Sequence, residues 1–459
     1  MPELNAQSSQ ISDLLETARG HARVAADEPA KRAYLDVLRQ DPTCLDALLE
    51  LARLALRSGH RSAASTAYQQ AIYCHPDDPT ARVNLGNLWI ESGEFEAARA
   101  QFEVAIAARP GLAAAHQGLA RVLTALGESD AAAIHWREGF GAGGLAPQPF
   151  GGMGPGVAVL LLVSARGGNI PTRSLLDDTM FAVTALYAEH HDPALPLPPH
   201  ALIFNAIGDA DLCGEALRQA RAIVARSAAP VVNAPALVAA TGRAEIARRM
   251  TGLADVVAPA IAGVRRDDAE GFDALAYPHL FRSPGFHTGQ HFVRVERRED
   301  AVAAIADLPG DDLLAIAPLD ARGADSRYRK YRAMLIDGVA YPLHLAVSAH
   351  WKVHYFTADM ARCEALRAEE AAFLADMPAV LGPRAVAALT AIAAELDLDY
   401  AGVDFAIAPE GRLLLFEANP GMVISPPGPE PMWDYRRAAI DRALAAVKRL
   451  LLARAAPAA

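Results

Sequence analysis

Asn84-Leu85-Gly86-Asn87-Leu88-Trp89, a turn at Gly93, then Ala98, Phe102, Ala105 and Pro110 form one copy of a pattern that fills the first third of the chain. Moving outward from it, prolines stand at 42, 76 and 110 and glycines at 59, 93 and 127, each set 34 residues apart. A large aromatic keeps the same spacing at Tyr34, Tyr68, Phe102 and Trp136, with a small residue four positions earlier at Ala30, Ala64, Ala98 and Ala132. Each unit reads as two helices. The small residue lets the pair approach, the aromatic fills the gap, and proline, lacking a backbone donor, ends the second helix.

In nearly every marked position this pattern resembles the tetratricopeptide repeat. About four units cover roughly residues 11–144, the outer two degenerate as befits caps that face water. The resemblance implies a concave groove that docks a protein or peptide partner, or else a structural or dimerising arm.

The whole chain bounds the remaining possibilities. Its 459 residues are 52% apolar, which predicts a folded chain of roughly two to four domains. A net charge of −11 gives no basic field for nucleic acid. The N-terminus carries no basic segment followed by an apolar core, and the best apolar run, Val157 to Val163, has strand length; no export signal and no membrane span are expected. Cys44, Cys74, Cys213 and Cys363 are scattered without a C-x-x-C pair, which suits reduced thiols and a cytoplasmic location.

A Gly/Pro-rich stretch from Gly139 to Gly156 breaks any helix and marks a boundary. Val157–Val163 then reads as a buried parallel strand, followed by a helix over Leu175–Glu189, a strand at Ala201–Asn205, a helix at Leu212–Ser227 and a short strand at Pro230–Asn233. Such alternation predicts an open α/β unit, with Gly167-Gly168-Asn169 and Asn205–Asp209 at strand C-terminal ends where ligands bind; ligand-free tight turns read equally well.

Further on, Leu280-Phe281-Arg282 closes a strand, and Ser283 to His291 forms a glycine-bearing loop before Phe292–Val295. Backbone amides of such a loop can cradle phosphate oxygens, although no Walker motif is present. Asp312–Asp320 reads as an apolar strand running into a polar loop, and Arg327–Pro342 as a hairpin turning at Asp337-Gly338, with Lys330 and Arg332 on one face. His344 to Tyr355 alternates polar and apolar residues like a half-buried strand, whose histidines could alternatively bind zinc or act as bases. A final hairpin carries Asp404 on one strand and Glu417 with Asn419 on the next, three oxygen donors suited to Mg²⁺, or a bland surface hairpin.

Taken in order, nucleotide loop, hinge strand, Lys/Arg hairpin, helix, then Asp404 with Glu417-x-Asn419 resemble the ATP-grasp superfamily. The pattern is most similar to its glutathione-synthetase and RimK-type amino-acid ligases, over roughly residues 156–455. The resemblance divides the chain into a repeat domain at 1–145, a linker at 146–156, an α/β domain at 157–235 that precedes the nucleotide domain, and an α+β ATP-grasp domain at 236–459. It implies ATP and Mg²⁺ (or Mn²⁺), the ion held by Asp404, Glu417 and Asn419. It implies catalytic roles for Arg332, Arg282 and Lys330, and nucleotide contacts from Arg243, Arg282, Gly285, His287, Thr288, Gly289 and the hinge residues Ile316, Ala317 and Leu319. Two departures stand out. Arg243 and Arg282 occupy places where relatives commonly have lysine, and Lys330 and Pro318 replace an acidic residue and a hinge glutamate.

The activity implied is an ATP-dependent carboxylate–amine ligase acting through an acyl phosphate, on small carboxylate and amine substrates or a peptide. An ATP-binding scaffold without ligation, or a kinase on the same fold, are the alternatives. Pro426–Pro431 reads as a wall beside the metal strand or a plain turn, and Asp434–Arg454 as a tail helix packed on its own domain.

Overall fold

The computed structural model describes residues 2–23, 27–57, 60–141, 143–148, 150–273, 275–285, 289–355, 358–428 and 430–456. Two compact units divide between residues 142 and 143. The first is all helix: α1 (Pro2–Arg23), α2 (Asp27–Gln40), α3 (Leu45–Arg57), α4 (Arg61–Cys74), α5 (Pro79–Glu91), α6 (Phe95–Ala108), α7 (Ala113–Ala125) and α8 (Ser129–Phe140). The predicted spacing reappears as burial: Ala30, Ala64 and Ala98 are sealed, as are Tyr34, Tyr68 and Phe102. Phe102 shows why small residues are required. A Cβ at Gly86 would lie 2.7 Å from its ring and one at Gly118 only 2.1 Å, so the ring wedges between α5 and α7. Asp78 caps α5 by accepting the Thr80 N–H at 2.8 Å, and Pro79 follows at the first helical position. Positive φ at Gly93 and Gly127 makes the turns; Gly59 lies outside the described residues.

On α7, His116 donates Nε2–H to the Pro110 carbonyl at 2.7 Å, which leaves its Nδ1 to accept from Nδ1 of His135 on α8 at 2.9 Å.

The second unit is α/β with three sheets. The first holds β1 (Leu145–Pro147), β2 (Val157–Val163), β3 (Phe181–Tyr187), β4 (Leu202–Asn205) and β5 (Val231–Val232), in the order β1-β3-β2-β4-β5. All neighbours are parallel except β1, which lies antiparallel on the edge. Leu145–Pro147, partly within the expected linker, therefore belongs to this sheet. The helix expected over Leu175–Glu189 is absent. Asp177 accepts both N–H and O–H of Thr179 in a tight turn, and Phe181-Ala-Val-Thr-Ala-Leu-Tyr187 then runs in register along β2 with Phe181, Val183 and Ala185 buried. Strand-favouring Phe181, Val183, Thr184 and Tyr187, with period-two burial beside an existing strand, outweigh the helical preference of Ala182, Ala185 and Leu186.

Next come α9 (Gly214–Val224), α10 (Pro235–Val238), α11 (Arg243–Met250), β6 (Val256–Val257), β7 (Ile261–Arg265), α12 (Ala269–Asp273), β8 (His279–Arg282), β9 (Phe292–Val295), α13 (Ala301–Ile305), β10 (Asp312–Ile316), β11 (Tyr328–Ile336), β12 (Val339–Ser348), α14 (Glu364–Ala375), α15 (Met377–Leu396), β13 (Tyr400–Ile407), β14 (Leu413–Asn419) and α16 (Arg437–Ala455). A four-stranded antiparallel sheet runs β7-β10-β8-β9 around its own small core of Val264, Phe272, Phe281 and Leu313. The third sheet runs β12-β11-β13-β14-β6, antiparallel but for β6. The strand expected from His344 to Tyr355 stops at Ser348, because the Ser348 hydroxyl accepts the His350 N–H and Asp359 accepts the Ala349 N–H, turning the chain away. His350, Lys352 and His354 therefore share no strand face with His344.

By length and composition α15 could cross a membrane, yet eight of its residues are buried in the core. Asn233, fully buried with φ +57°, ties the first sheet to the third. Its amide donates to the Tyr400 carbonyl and its carbonyl accepts the Tyr400 N–H, both at 2.8 Å, while Asp399 accepts the Asn233 backbone N–H.

Candidate functional site

Strand register lines up four side chains across the third sheet. His344 on β12 pairs with Arg332 on β11, Arg332 with Asp404 on β13, and Asp404 with Glu417 on β14. Cross-strand partners share a sheet face, so chemistry spread from position 332 to position 417 of the sequence meets in one row. Asp404 is 3% exposed. Its carboxylate accepts Arg332 Nε at 2.6 Å and Nη2 at 2.8 Å, a fork geometry, and Lys330 Nζ at 3.0 Å. Burial alone would push this carboxyl up, but Arg332 and Lys330 outweigh it and hold it well below the usual carboxylate range.

Glu417 accepts Arg243 Nη2 at 2.6 Å, and the Asn419 amide donates to the same carboxylate oxygen at 2.8 Å. Burial again raises this carboxyl, and Arg243 and Arg282 bring it down. Arg243 is set there by the start of α11, just after Gly242. At the end of β8, Arg282 is 7% exposed, its guanidinium 5.7 Å from the Phe292 ring centre. Burial and then Arg243 draw the Arg282 guanidinium down to about 10. His344 is buried against Tyr355 at 4.7 Å between ring centres, and burial holds it well below the ordinary histidine value.

Beside this row lies a cavity of about 260 Å³, lined among others by Asp211, Arg243, Arg282, Gly285, Glu417 and Asn419. Loops after β2 and β4 form its other wall, the C-terminal edge of the parallel sheet where open α/β folds take ligands. Arg243, Arg282, Gly285, Glu417 and Asn419 are thus brought together. Asp404 stands one strand behind Glu417, and Arg332 and Lys330 two. Gly289 packs elsewhere, against Lys352: a Cβ there would lie 2.9 Å from Lys352 Cε. His287 and Thr288 lie outside the described residues. Ile316, Ala317 and Leu319 do not line the cavity: Ile316 is buried on β10, Ala317 N–H bonds the Ala260 carbonyl at 2.9 Å, and Leu319 packs with Ala406 and Leu414. Asp209 and Asp211, on the cavity wall, carried no singled-out role in the sequence; Asp209 ends a loop that did.

The donors of the last hairpin fit a divalent cation in kind. Two carboxylates face each other in register, and Asn419 touches one of them. Each carboxylate is already neutralised by Arg or Lys, and the Asn419 carbonyl accepts the Gly421 N–H at 2.9 Å, so a cation would enter by exchange. Among the described residues no three His, Cys, Asp or Glu side chains cluster as a metal site.

The tetratricopeptide-repeat family matches residues 19–79, 49–113 and 85–138. Among solved structures, MamA is 22% identical over 30% of this chain and 81% of its own, with a TM-score of 0.27. A tetratricopeptide repeat protein from Parabacteroides merdae is 18% identical over 29% of this chain and 53% of its own, TM-score 0.27. PilF of Pseudomonas aeruginosa is 18% identical over 29% and 62%, TM-score 0.28. No curated protein matches the chain. Residues 19–138 are tetratricopeptide repeats, followed by an α/β region with mixed sheets.

Proposed function

We propose that residues 143–459 are an ATP-dependent carboxylate–amine ligase and that the repeats dock a protein or peptide partner. The observation that carries the first part is the row Arg332–Asp404–Glu417 with Lys330, Arg243 and Arg282 around it. Four cations and two carboxylates meet on the hairpin side, with Asp209 and Asp211 on the cavity wall, so positive charge is gathered beside the hairpin in a chain of net charge −11. Such a gathering suits an anionic reactant whose charge shifts during transfer. In this reading a substrate carboxylate oxygen attacks the γ-phosphorus of ATP, the bond to the β-phosphate bridging oxygen breaks, and ADP leaves. An amine then attacks the acyl carbon of the acyl phosphate, inorganic phosphate leaves, the nitrogen loses its extra proton, and an amide remains. Mg²⁺ on Asp404, Glu417 and Asn419 would neutralise phosphate charge when bound.

The chain's own part is positioning. Arg332 and Lys330, at alternate positions of one strand, are held by a buried carboxylate, so their charge is fixed in direction before any ligand arrives. Arg243 and Arg282 reach the cavity from a helix start and a strand end, two separate supports. Tetratricopeptide repeats commonly mediate protein–protein contacts, which supports the docking half of the proposal.

Phosphate release from ATP, dependent on both an added carboxylate and an added amine, tests the reading. Glu417→Gln is expected to abolish that release while circular dichroism stays unchanged. Undiminished turnover in the variant ends the assignment, and turnover needing only one of the two reactants points to the kinase alternative.

A further inference from the structure

The last helix pair of the repeats brings two imidazoles nitrogen to nitrogen. His116 on α7 and His135 on α8 stand 19 positions apart in sequence, yet their Nδ1 atoms lie 2.9 Å from each other. His116 is only 7% exposed, and its ring is held from behind by the Nε2–H bond to the Pro110 carbonyl at 2.7 Å. That bond keeps the proton on Nε2 and turns a bare Nδ1 lone pair toward His135, the way a backbone carbonyl orients a metal-ligating histidine. A hydroxyl or an amide at position 135 would satisfy His116 equally well; a histidine brings a second ring nitrogen to coordinating distance. His135 is half-buried, so an ion has a way in. Burial and then His116 disfavour a proton on His135, which keeps its ring neutral, while Glu138, one turn along α8, and Glu103 on α6, itself paired with Arg99, supply negative charge nearby.

At metal–nitrogen distances of about 2.0–2.1 Å, two ligands at a tetrahedral angle stand roughly 3.3 Å apart, and two at a right angle roughly 2.9 Å. The observed 2.9 Å lies within about 0.4 Å of both, so α7 and α8 need not part, and the exchange asks only that the His135 ring turn. We propose that His116 and His135 form a site for a divalent metal ion of the zinc, nickel or copper class, which clips α7 to α8 and keeps water in its remaining positions. The ion replaces one N–H···N bond. Two metal–nitrogen bonds form as water leaves the ion, the proton on His135 Nδ1 passes through solvent to its Nε2, and no net proton is released. Mg²⁺, which seeks oxygen, is not a guest of this site. The site lies wholly within the repeats and does not depend on what residues 143–459 catalyse.

The test titrates the metal-free full chain with Zn²⁺, Ni²⁺ and Cu²⁺ in competition with a chromophoric chelator, with Mg²⁺ as the oxygen-seeking control. At least one of the three ions is expected to bind, and excess Mg²⁺ to leave it in place. His135→Gln still offers an amide N–H to His116 Nδ1, so the contact between the helices survives and only a ligating nitrogen is lost; circular dichroism checks that the fold is kept. That variant is expected to bind the ion at least about tenfold more weakly. Electron paramagnetic resonance of the copper-loaded chain reads the ligands without any substitution, and coupling to two imidazole nitrogens is expected. No binding of any of the three ions, equally tight binding by His135→Gln, or a copper spectrum without imidazole nitrogen overturns the proposal.

Discussion

Replacing Asp404 with asparagine keeps the shape of the side chain and removes one buried charge. Lys330 and Arg332 then face each other across a neutral amide, with only 17% and 23% of their side chains exposed. An exposed ion pair is worth about 0–1 kcal/mol, whereas removing one partner of a buried pair costs about 3–5 kcal/mol because the other charge stays desolvated. The 3% exposure of Asp404 and its fork contact with Arg332 place it in the second class. Trp351 and Trp433 are the only tryptophans in the C-terminal unit, so a chain with Trp89→Phe and Trp136→Phe reports urea unfolding of that unit by fluorescence. We expect Asp404→Asn to lose about 3–5 kcal/mol there, and a second change, Lys330→Met, to restore part of it, since the pair is coupled. A loss under about 1 kcal/mol, or no recovery in the double variant, refutes the idea that one carboxylate neutralises both cations. The same carboxylate sets an acid limit. Its folded pKa is depressed, so its contribution is complete above the unfolded value of about 3.9 and is lost as pH falls below that, and the Asp404→Asn chain should lack this part of the acid transition.

The repeats offer two independent tests. Gly118→Ala gains about 1 kcal/mol of helix propensity but drives a Cβ to 2.1 Å from the Phe102 ring, so overpacking wins and thermal melting by far-UV circular dichroism should fall, recovering in Gly118→Ala with Phe102→Leu. His135 is held below the ordinary histidine value by burial and then by His116, so the unfolded chain binds a proton more readily than the folded one. Stability of the N-terminal unit should therefore decline as pH drops below about 6.5, and less steeply in His135→Gln, measured by the same melts.

How much of this could be read from the sequence depended on the range of the interaction. The repeats were legible because Ala98, Phe102 and Pro110 act within their own helix or on the helices next in sequence, and the pattern is copied at fixed spacing. The Asp337-Gly338 hairpin and the Asp404/Glu417 pair were legible for a similar reason, since a turn fixes the register of the strands it joins. Arg243 with Glu417 lies 174 residues apart, and Lys330 with Asp404 lies 74 apart. No local spacing encodes such contacts; they follow from sheet order. The Phe181–Tyr187 strand was misread as helix although four of its seven residues, Phe181, Val183, Thr184 and Tyr187, favour strands, and its pairing with β2 sets it. Ser348, whose hydroxyl redirects the chain, looks in sequence like one more polar position of an alternating run.

Asn233 has a mechanical consequence. An amide that mimics a peptide unit welds the parallel sheet to the hairpin sheet, so those two walls of the cavity move as one piece. Arg282 rides on the four-stranded sheet, which has a core of its own. That sheet packs around a centre separate from those of the other two, so Arg282 is positioned by contacts that do not depend on the walls Asn233 joins.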